Sequence, residues 1–321
     1  MTVLVLTRAS DATSDLVISE LSDRGVPVHR LDHSDFPDRL TVGAHIDPEA
    51  RGWSGIVRGQ HRDLSLDEVR AVYYRRPSPP RTHPDLTEAD ARWAASEARA
   101  GFGGLLAALD CLWVNHPSRN AHAEIKPVAL AAARRCGLDV PRTLITNDPA
   151  DAREFVDSLP GRVAAYKGLG PGGPLGDDAD AHALWTTQVR ADEINDTVSL
   201  TAHQFQQWIP KAYEVRLTAV GRQLFAAEIH AGSDAARVDF RTDYDSLTYR
   251  PCDVPGSIAA GMNALLDDLQ LRYAACDFLV SQDDGRWYLV DVNPNGQWAF
   301  IPELRAPITH ALAALLGGHR P

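Results

Sequence analysis

The feature that most constrains this chain is a pair of apolar segments, Tyr273–Val280 and Arg286–Val292, on either side of Asp283-Asp284-Gly285. A short loop containing glycine between two such runs specifies an antiparallel hairpin, because glycine accepts the left-handed backbone of the turn. With Asp283, Asp284 and Gly285 as a three-residue loop, Gln282 pairs with Arg286, and counting back sets Asp277 opposite Asp291. A two-residue loop would break this register. Directly opposed residues share a face of the ribbon, and Asn293, two positions on, shares it too. Two carboxylates and an amide oxygen then converge inside strongly apolar strands, where a charge requires a partner or a metal. Hard oxygen ligands of this kind suit magnesium that also holds substrate phosphates. Asp283 and Asp284 read as solvated turn residues.

Upstream, Lys167 ends the strand-like run Arg162–Lys167 and opens Gly168-Leu169-Gly170-Pro171-Gly172-Gly173-Pro174-Leu175-Gly176. Backbone N–H groups at Gly170, Gly172 and Gly173 can approach phosphates closely, and the lysine supplies positive charge. So many glycines carry a large ordering cost, so this loop is expected to move without nucleotide and to order over ATP. A glycine-rich loop alone is more often a plain connection; the lysine and the downstream acids give it weight. Lys126 stands just before a helix in which Pro127 fits the first turn, and is a second candidate for phosphate. Alone it would be a surface lysine. Gln206-Gln207-Trp208-Ile209 ends a strand whose edge can offer donors and acceptors to an adenine ring; an ordinary strand with a buried tryptophan is an equal alternative. Glu214, Arg216 and Thr218 alternate on one face of the next strand. Arg216 beside phosphates would stabilise charge developing during transfer, the bland alternative being a salt bridge near Glu214.

The N-terminal third reads as α/β. Thr2–Thr7 and Val26–Leu31 are strands around a helix from Asp11 to Arg24, ended by Gly25. Val72-Tyr73-Tyr74 is a further strand, and Thr87 caps a helix running to Ala108. The first turn, Thr7-Arg8-Ala9-Ser10-Asp11, has no glycine, so the dinucleotide fingerprint is absent and a Rossmann dehydrogenase is disfavoured. The formal net charge of −11 argues against general nucleic-acid binding. Four scattered cysteines, Cys111, Cys136, Cys252 and Cys276, read as reduced residues of a cytosolic protein rather than as a disulfide framework. No apolar run reaches membrane-spanning length.

The order Lys126, Lys167 with its glycine loop, Gln206 to Ile209, Arg216, Asp277, then Asp291-Val292-Asn293 resembles the ATP-grasp superfamily, from about Asn115 to the end of the chain. Many members have glutamate where this chain has Asp291. A closer resemblance is to the graspetide synthetases, the microviridin-type peptide macrocyclases. It is carried by Tyr73-Tyr74-Arg75-Arg76-Pro77, Asn115 with Lys126-Pro127, Val140 to Asn147, Lys211 with Glu214 and Arg216, Val238-Asp239-Phe240-Arg241, and above all Asp291 to Trp298. Phe240 stands where that family often has tryptophan.

The resemblance implies an α/β (α+β) ATP-grasp fold with an N-terminal Rossmann-like pre-ATP-grasp domain. The expected division is a Rossmann-like unit over 1–115, a central lid with the glycine loop over 116–198, and a C-terminal unit with the magnesium site over 199–321. It also implies ATP and Mg2+, a homodimer, and a precursor peptide with a leader and a core of Thr/Ser and Asp/Glu. An acidic protein favours a leader carrying Arg or Lys. An Asp or Glu of the core would become an acyl phosphate and be attacked by a Ser or Thr hydroxyl or a Lys amine. Lys211, Glu214, His230, Asp239 and Arg241 are candidates for positioning the acceptor or moving a proton, with a structural role at least as plausible for each. The rivals are an ATP-grasp ligase that adds amino acids to a protein or small peptide, and an ATP-binding regulatory module without ligase activity.

Overall fold

The computed structural model describes residues 2–170 and 185–318. Near the N-terminus, β1 (Thr2–Thr7) leads into α1 (Ala12–Asp23) and β2 (Val28–Leu31). Asp11 caps α1, its carboxylate accepting from the Thr13 and Ser14 amides. This satisfies helix-end donors that have no intrahelical partner. Next come β3 (Leu40–His45), β4 (Ser54–Gly59) and β5 (Leu64–Ser65), a small antiparallel sheet that the sequence reading passed over. β6 (Val69–Arg76) and β7 (Leu112–Val114) complete a parallel sheet of order β2-β1-β6-β7. Between them, α2 (Glu88–Ala98), capped by Thr87, passes through a π turn over Arg99–Gly103 into α3 (Gly104–Ala107).

The chain continues through α4 (Pro117–Ala123), α5 (Lys126–Arg135), β8 (Thr143–Thr146), α6 (Pro149–Asp157), β9 (Ala164–Lys167), β10 (Thr187–Val189) and β11 (His203–Gln207). The four strands form an antiparallel sheet of order β10-β9-β11-β8, with Phe205, Ala164 and Val156 in its own small core. The third strand of this sheet lies beyond the boundary expected at 198.

The last part comprises β12 (Lys211–Val220), β13 (Gln223–His230), α7 (Asp234–Val238), β14 (Thr248–Cys252), α8 (Gly256–Asp268), β15 (Tyr273–Ser281), β16 (Trp287–Asn293) and α9 (Pro302–Gly317). Its strands make an antiparallel sheet of order β14-β13-β12-β15-β16. Strand alternation gives this sheet two unlike faces. Val215, Leu217, Cys276 and Phe278 turn to one face and pack with Ala129, Ala132, Met262 and Leu265, so α5 belongs to this sheet rather than to the central one. On the other side, Ala227, Tyr273 and Ala275 share a core with Trp298, Ile308 and Leu312 and with Val3, Val5 and Tyr73 of the N-terminal sheet. The first and last parts of the chain are thus held by one continuous core, and the site lies at its margin.

Candidate active site

The β15–β16 hairpin places two acids face to face, by a route that differs from the expected one. Ser281 N–H donates to Arg286 O, so the turn holds the four residues Gln282 to Gly285. The ladder therefore starts one residue out of the expected register, with Val280 opposite Trp287 and Phe278 opposite Leu289. A bulge at Val290 then restores it, and Asp277 stands opposite Asp291. A bulge leaves one residue outside the ladder and re-aims its polar groups. The Val290 carbonyl accepts a hydrogen bond from Lys167 Nζ at 3.0 Å.

Two cations pair with the two acids, and Lys167 stands beside them. Arg216 lies opposite Asp277 on β12, with Nε 3.0 Å from Oδ1, and its guanidinium stacks over Phe300 at 5.5 Å. Its expected alternative partner, Glu214, instead holds Lys211 at 2.6 Å. Lys126, at the start of α5, reaches Asp291 Oδ1 at 3.0 Å. Asn293 Nδ2 donates to Asp277 Oδ2 at 3.3 Å.

The electrostatics split the two carboxyls. Burial pushes Asp277 up to about 6, although Arg216 pulls it down. Burial also raises Asp291, but Lys126 and Lys167 outweigh it and hold this carboxyl below its ordinary range. Burial lowers Lys167 to about 8, against the pull of Asp291.

Among the described residues there is no cluster of three His, Cys, Asp or Glu side chains that could hold a metal. A cation here would draw on the two carboxylates and on the Asn293 amide oxygen, with phosphate and water completing its shell. That donor set fits magnesium, which takes one or two carboxylates and keeps several waters. The carboxyls also lie within reach of three cations, so the site can hold charge of either sign without leaving one uncompensated.

These groups line a cavity of about 1070 Å³ that also takes in Gly170, Gln206, Gln207, Trp208, Ile209, Lys211, Glu214, Asp239 and Arg241. Gly172 and Gly173 lie outside the described residues, as does most of the glycine loop. The notion of a free strand edge at Gln206 and Gln207 needs correction. β11 is bonded to β8 on one side and β9 on the other, Gln207 N–H donates to Arg142 O, and Gln206 Nε2 donates to Thr143 Oγ1 at 2.9 Å. Free backbone begins only past the ladder, at Ile209, whose N–H has no partner among the described residues.

Asp239 and Arg241 form a second polar corner. The Arg241 guanidinium donates to both oxygens of Asp239, which also accepts from Thr186 N–H at 3.0 Å. Burial would raise Asp239, but these donors win and hold it at about 2. Arg241 lies over the Trp185 ring at 5.2 Å.

His230 does not join the site. Glu214 pairs with Ile229 and Val215 with Glu228, so Glu228 and His230 face the side of the sheet opposite to Glu214 and Arg216. His230 Nε2 lies 2.7 Å from Glu228, which Arg250 also holds. The period of two along β13 carries this candidate to the face opposite Arg216.

The structure also adds residues with no individual role in the sequence reading: Thr13, Glu124, Tyr244 and Phe300 line the cavity. Arg75, only 1% exposed, donates to Asn295 O and, at 2.6 Å, to Gln297 Oε1. Gln297 also accepts from Thr13 Oγ1 at 3.0 Å. The turn after the acidic strand is thereby bound to the N-terminal sheet. Nothing in local periodicity marks these residues, because they come together only through the packing of α1, β6 and the Pro294–Gln297 turn.

The fold defined by these elements is the ATP-grasp fold, here with a pre-ATP-grasp domain in front. Residues 2–121 match the family described as the MvdD pre-ATP grasp domain. No curated protein sequence matches the chain. Among solved structures, the chain resembles a RiPP-associated ATP-grasp ligase from Chryseobacterium gregarium in complex with ADP and a leader and core peptide. The TM-score is 0.91 at 26% identity, over 100% of this chain and 97% of that one. It also resembles the macrocyclase MdnC from Microcystis aeruginosa MRC, bound with precursor peptide MdnA, at a TM-score of 0.86 and 27% identity over 99% of this chain and 100% of that one. The macrocyclase MdnB of the same organism shares the fold, at 0.78 and 24% identity over 98% of each chain.

Proposed function

We propose that this chain is an ATP-dependent ligase that activates Asp or Glu side chains of a ribosomally made precursor peptide and joins them to acceptors within the same peptide. The observation that carries the reading is the pairing of Asp277 and Asp291 across one hairpin with Lys126, Lys167 and Arg216 around them. The cavity supports it: about 1070 Å³ exceeds the roughly 300–1,000 Å³ of ordinary small-molecule sites, leaving room for a nucleotide and a second substrate. The likeness to a ligase holding ADP and a peptide supports it further.

In this reading Lys126 and Lys167 bind the ATP phosphates, and the Trp208–Ile209 backbone receives the adenine. Magnesium held by Asp277, Asp291 and Asn293 would supply charge neutralisation at the phosphates. A core carboxylate oxygen bonds to the γ-phosphorus, ADP leaves, and an acyl phosphate results. The acceptor hydroxyl or amine then bonds to the acyl carbon and phosphate leaves, with net loss of one water per cross-link. Arg216, nearly buried and fixed over Phe300, stabilises negative charge in both steps. Lys211 with Glu214, and Asp239 with Arg241, position the acceptor, and Glu214 takes up its proton. Ester and amide products both follow from this chemistry. A homodimer, a basic leader and a cytoplasmic location complete the proposal. Among the described residues no helix is long and apolar enough to cross a membrane.

The test is mass spectrometry of the peptide encoded beside the gene, incubated with the protein and Mg-ATP. Leader-dependent losses of water are expected. Mass gains equal to an added amino acid would move the assignment to the amino-acid-adding ligases, and ATP binding with no turnover would leave a regulatory module.

A further inference from the structure

Seven cations line the cavity: Arg75, Arg76, Lys126, Lys167, Lys211, Arg216 and Arg241. Five of them face a carboxylate. Lys126 holds Asp291, Lys211 holds Glu214, Arg216 holds Asp277, Arg241 holds Asp239, and Arg75 lies 3.8 Å from Asp11. Lys167 and Arg76 have no ion-pair partner among the described residues. Lys167 is the lysine of the glycine loop and stands beside the acidic hairpin, where nucleotide phosphates belong. Arg76 lies elsewhere, at the end of β6 on the wall formed by the N-terminal sheet.

Resting on the ligase reading above, we propose that Arg76 is the binding residue for the donor carboxylate, the Asp or Glu side chain that is to be phosphorylated. The reaction brings two anions into the cavity, a nucleotide and a carboxylate. Two lining cations stand without an ion-pair partner among the described residues, on different walls. Arg76 is attached to a rigid support: its neighbour Arg75 is buried and bonded to the Asn295 carbonyl and to Gln297. Among the described residues its guanidinium makes one hydrogen bond, from Nη2 to the same Asn295 carbonyl at 3.3 Å. Most of the guanidinium fork therefore remains available, and that fork matches a carboxylate in a two-point contact. Asn295 is two residues from Asn293, so a carboxylate on Arg76 would be held close to the end of the acidic strand. Partial burial and the charge of Arg75 press Arg76 downward from its ordinary range, with Asp11 opposing, and an incoming carboxylate relieves that pressure. Glu124 lines the same corner but makes no ion pair with Arg76. Burial raises its carboxyl and the charge of Arg76 pulls it back down.

The experiment uses the full chain loaded with Mg-ADP, titrated by ligand-observed NMR with N-acetyl-glutamate N-methylamide and with its glutamine counterpart. The wild-type protein is expected to favour the glutamate probe, and Arg76→Gln to lose about tenfold to a hundredfold in its affinity, the range of one charge-assisted hydrogen bond or a pair. Arg76→Lys should recover part of the loss, since it keeps the charge without the fork. ADP affinity and thermal stability should change little, because Arg76 stands at a strand end and gives up only one long hydrogen bond. Equal binding of both probes by the wild-type protein, or unchanged glutamate binding by Arg76→Gln, overturns the proposal. So does tighter binding of free glutamate, which would mark a site for an α-carboxylate, or displacement of the probe by equimolar inorganic phosphate. The two readings fail separately. Arg76-dependent binding without dehydration of any peptide would remove the macrocyclase and keep the carboxylate site, whereas dehydration with an unaltered KM in Arg76→Gln would do the reverse.

Discussion

Lys167 Nζ donates to the carbonyl of Val290 at 3.0 Å, and Val290 is the residue that the ladder skips between Asp291 and Leu289. The bulge does two things at once. It brings Asp277 and Asp291 opposite each other, and it turns a backbone oxygen toward the lysine of the glycine loop. Deleting Val290 should remove both, so a register shift there is a more severe change than any single side-chain truncation of the strand.

Asp291→Asn and Asn293→Ala should each abolish turnover while the far-UV circular dichroism spectrum stays unchanged. Both change proposed magnesium ligands at the mouth of a hairpin whose apolar core, Phe278 and Leu289, lies farther along the strands. Asp291→Asn also leaves Lys126 without its ion-pair partner. Near wild-type rates with an unaltered magnesium dependence would remove these residues from the metal site.

The acid–base pattern gives a signed expectation. A protonated Asp277 is a poor ligand, so magnesium affinity should rise with pH through about 6, where burial has placed its carboxyl, and binding should release protons. Calorimetry in buffers of different ionisation enthalpy reads that release directly. In the metal-free protein the raised carboxyl binds a proton that the unfolded chain has lost. Its contribution to stability is therefore full at low pH and declines between about 4 and 6. Lys167 acts in the opposite sense. Its ammonium, at about 8 in the fold and about 10.4 when unfolded, makes stability rise with pH across that interval, while ADP affinity falls above about 8.

His230→Ala should leave kcat and the KM for peptide within a few-fold of wild type, because the ring lies on the opposite face of the sheet from Arg216. The change should appear instead in stability, as Glu228 loses one of its two partners. A loss of activity without a loss of stability would return His230 to the chemistry.

Gly296→Ala should impair catalysis through the neighbours it displaces. A Cβ there would meet the Ala275 Cβ at 2.5 Å and the Asn293 Cβ at 2.9 Å. Relieving that overlap costs about 1–3 kcal/mol and displaces Asn293. The expected signature is a raised magnesium requirement together with a lower melting temperature. A lowered melting temperature with normal magnesium dependence would show that the strand end absorbs the strain elsewhere.

The sequence by itself determined the elements and the chemistry that local patterning can carry. The apolar runs around Asp283 to Gly285 specify a hairpin, Gly25 ends its helix, and Thr87 caps another, because each depends on residues within a few positions. The set of Lys126, Lys167, Arg216, Asp277 and Asp291 was legible as hard ligands and phosphate-binding charges in a particular order. Only the tertiary structure decided how they meet. A four-residue turn and a bulge offset each other, and the identity of the turn depends on backbone conformations that residue type does not fix. Pleating sent His230 to the far face, and pairing on both sides made β11 an interior strand. The approach of Arg75 and Thr13 to Gln297 spans more than two hundred residues of chain. Such contacts are set by the burial of Trp298, Ile308 and Tyr73 in one core, a many-body packing outcome with no signature in any local window of sequence.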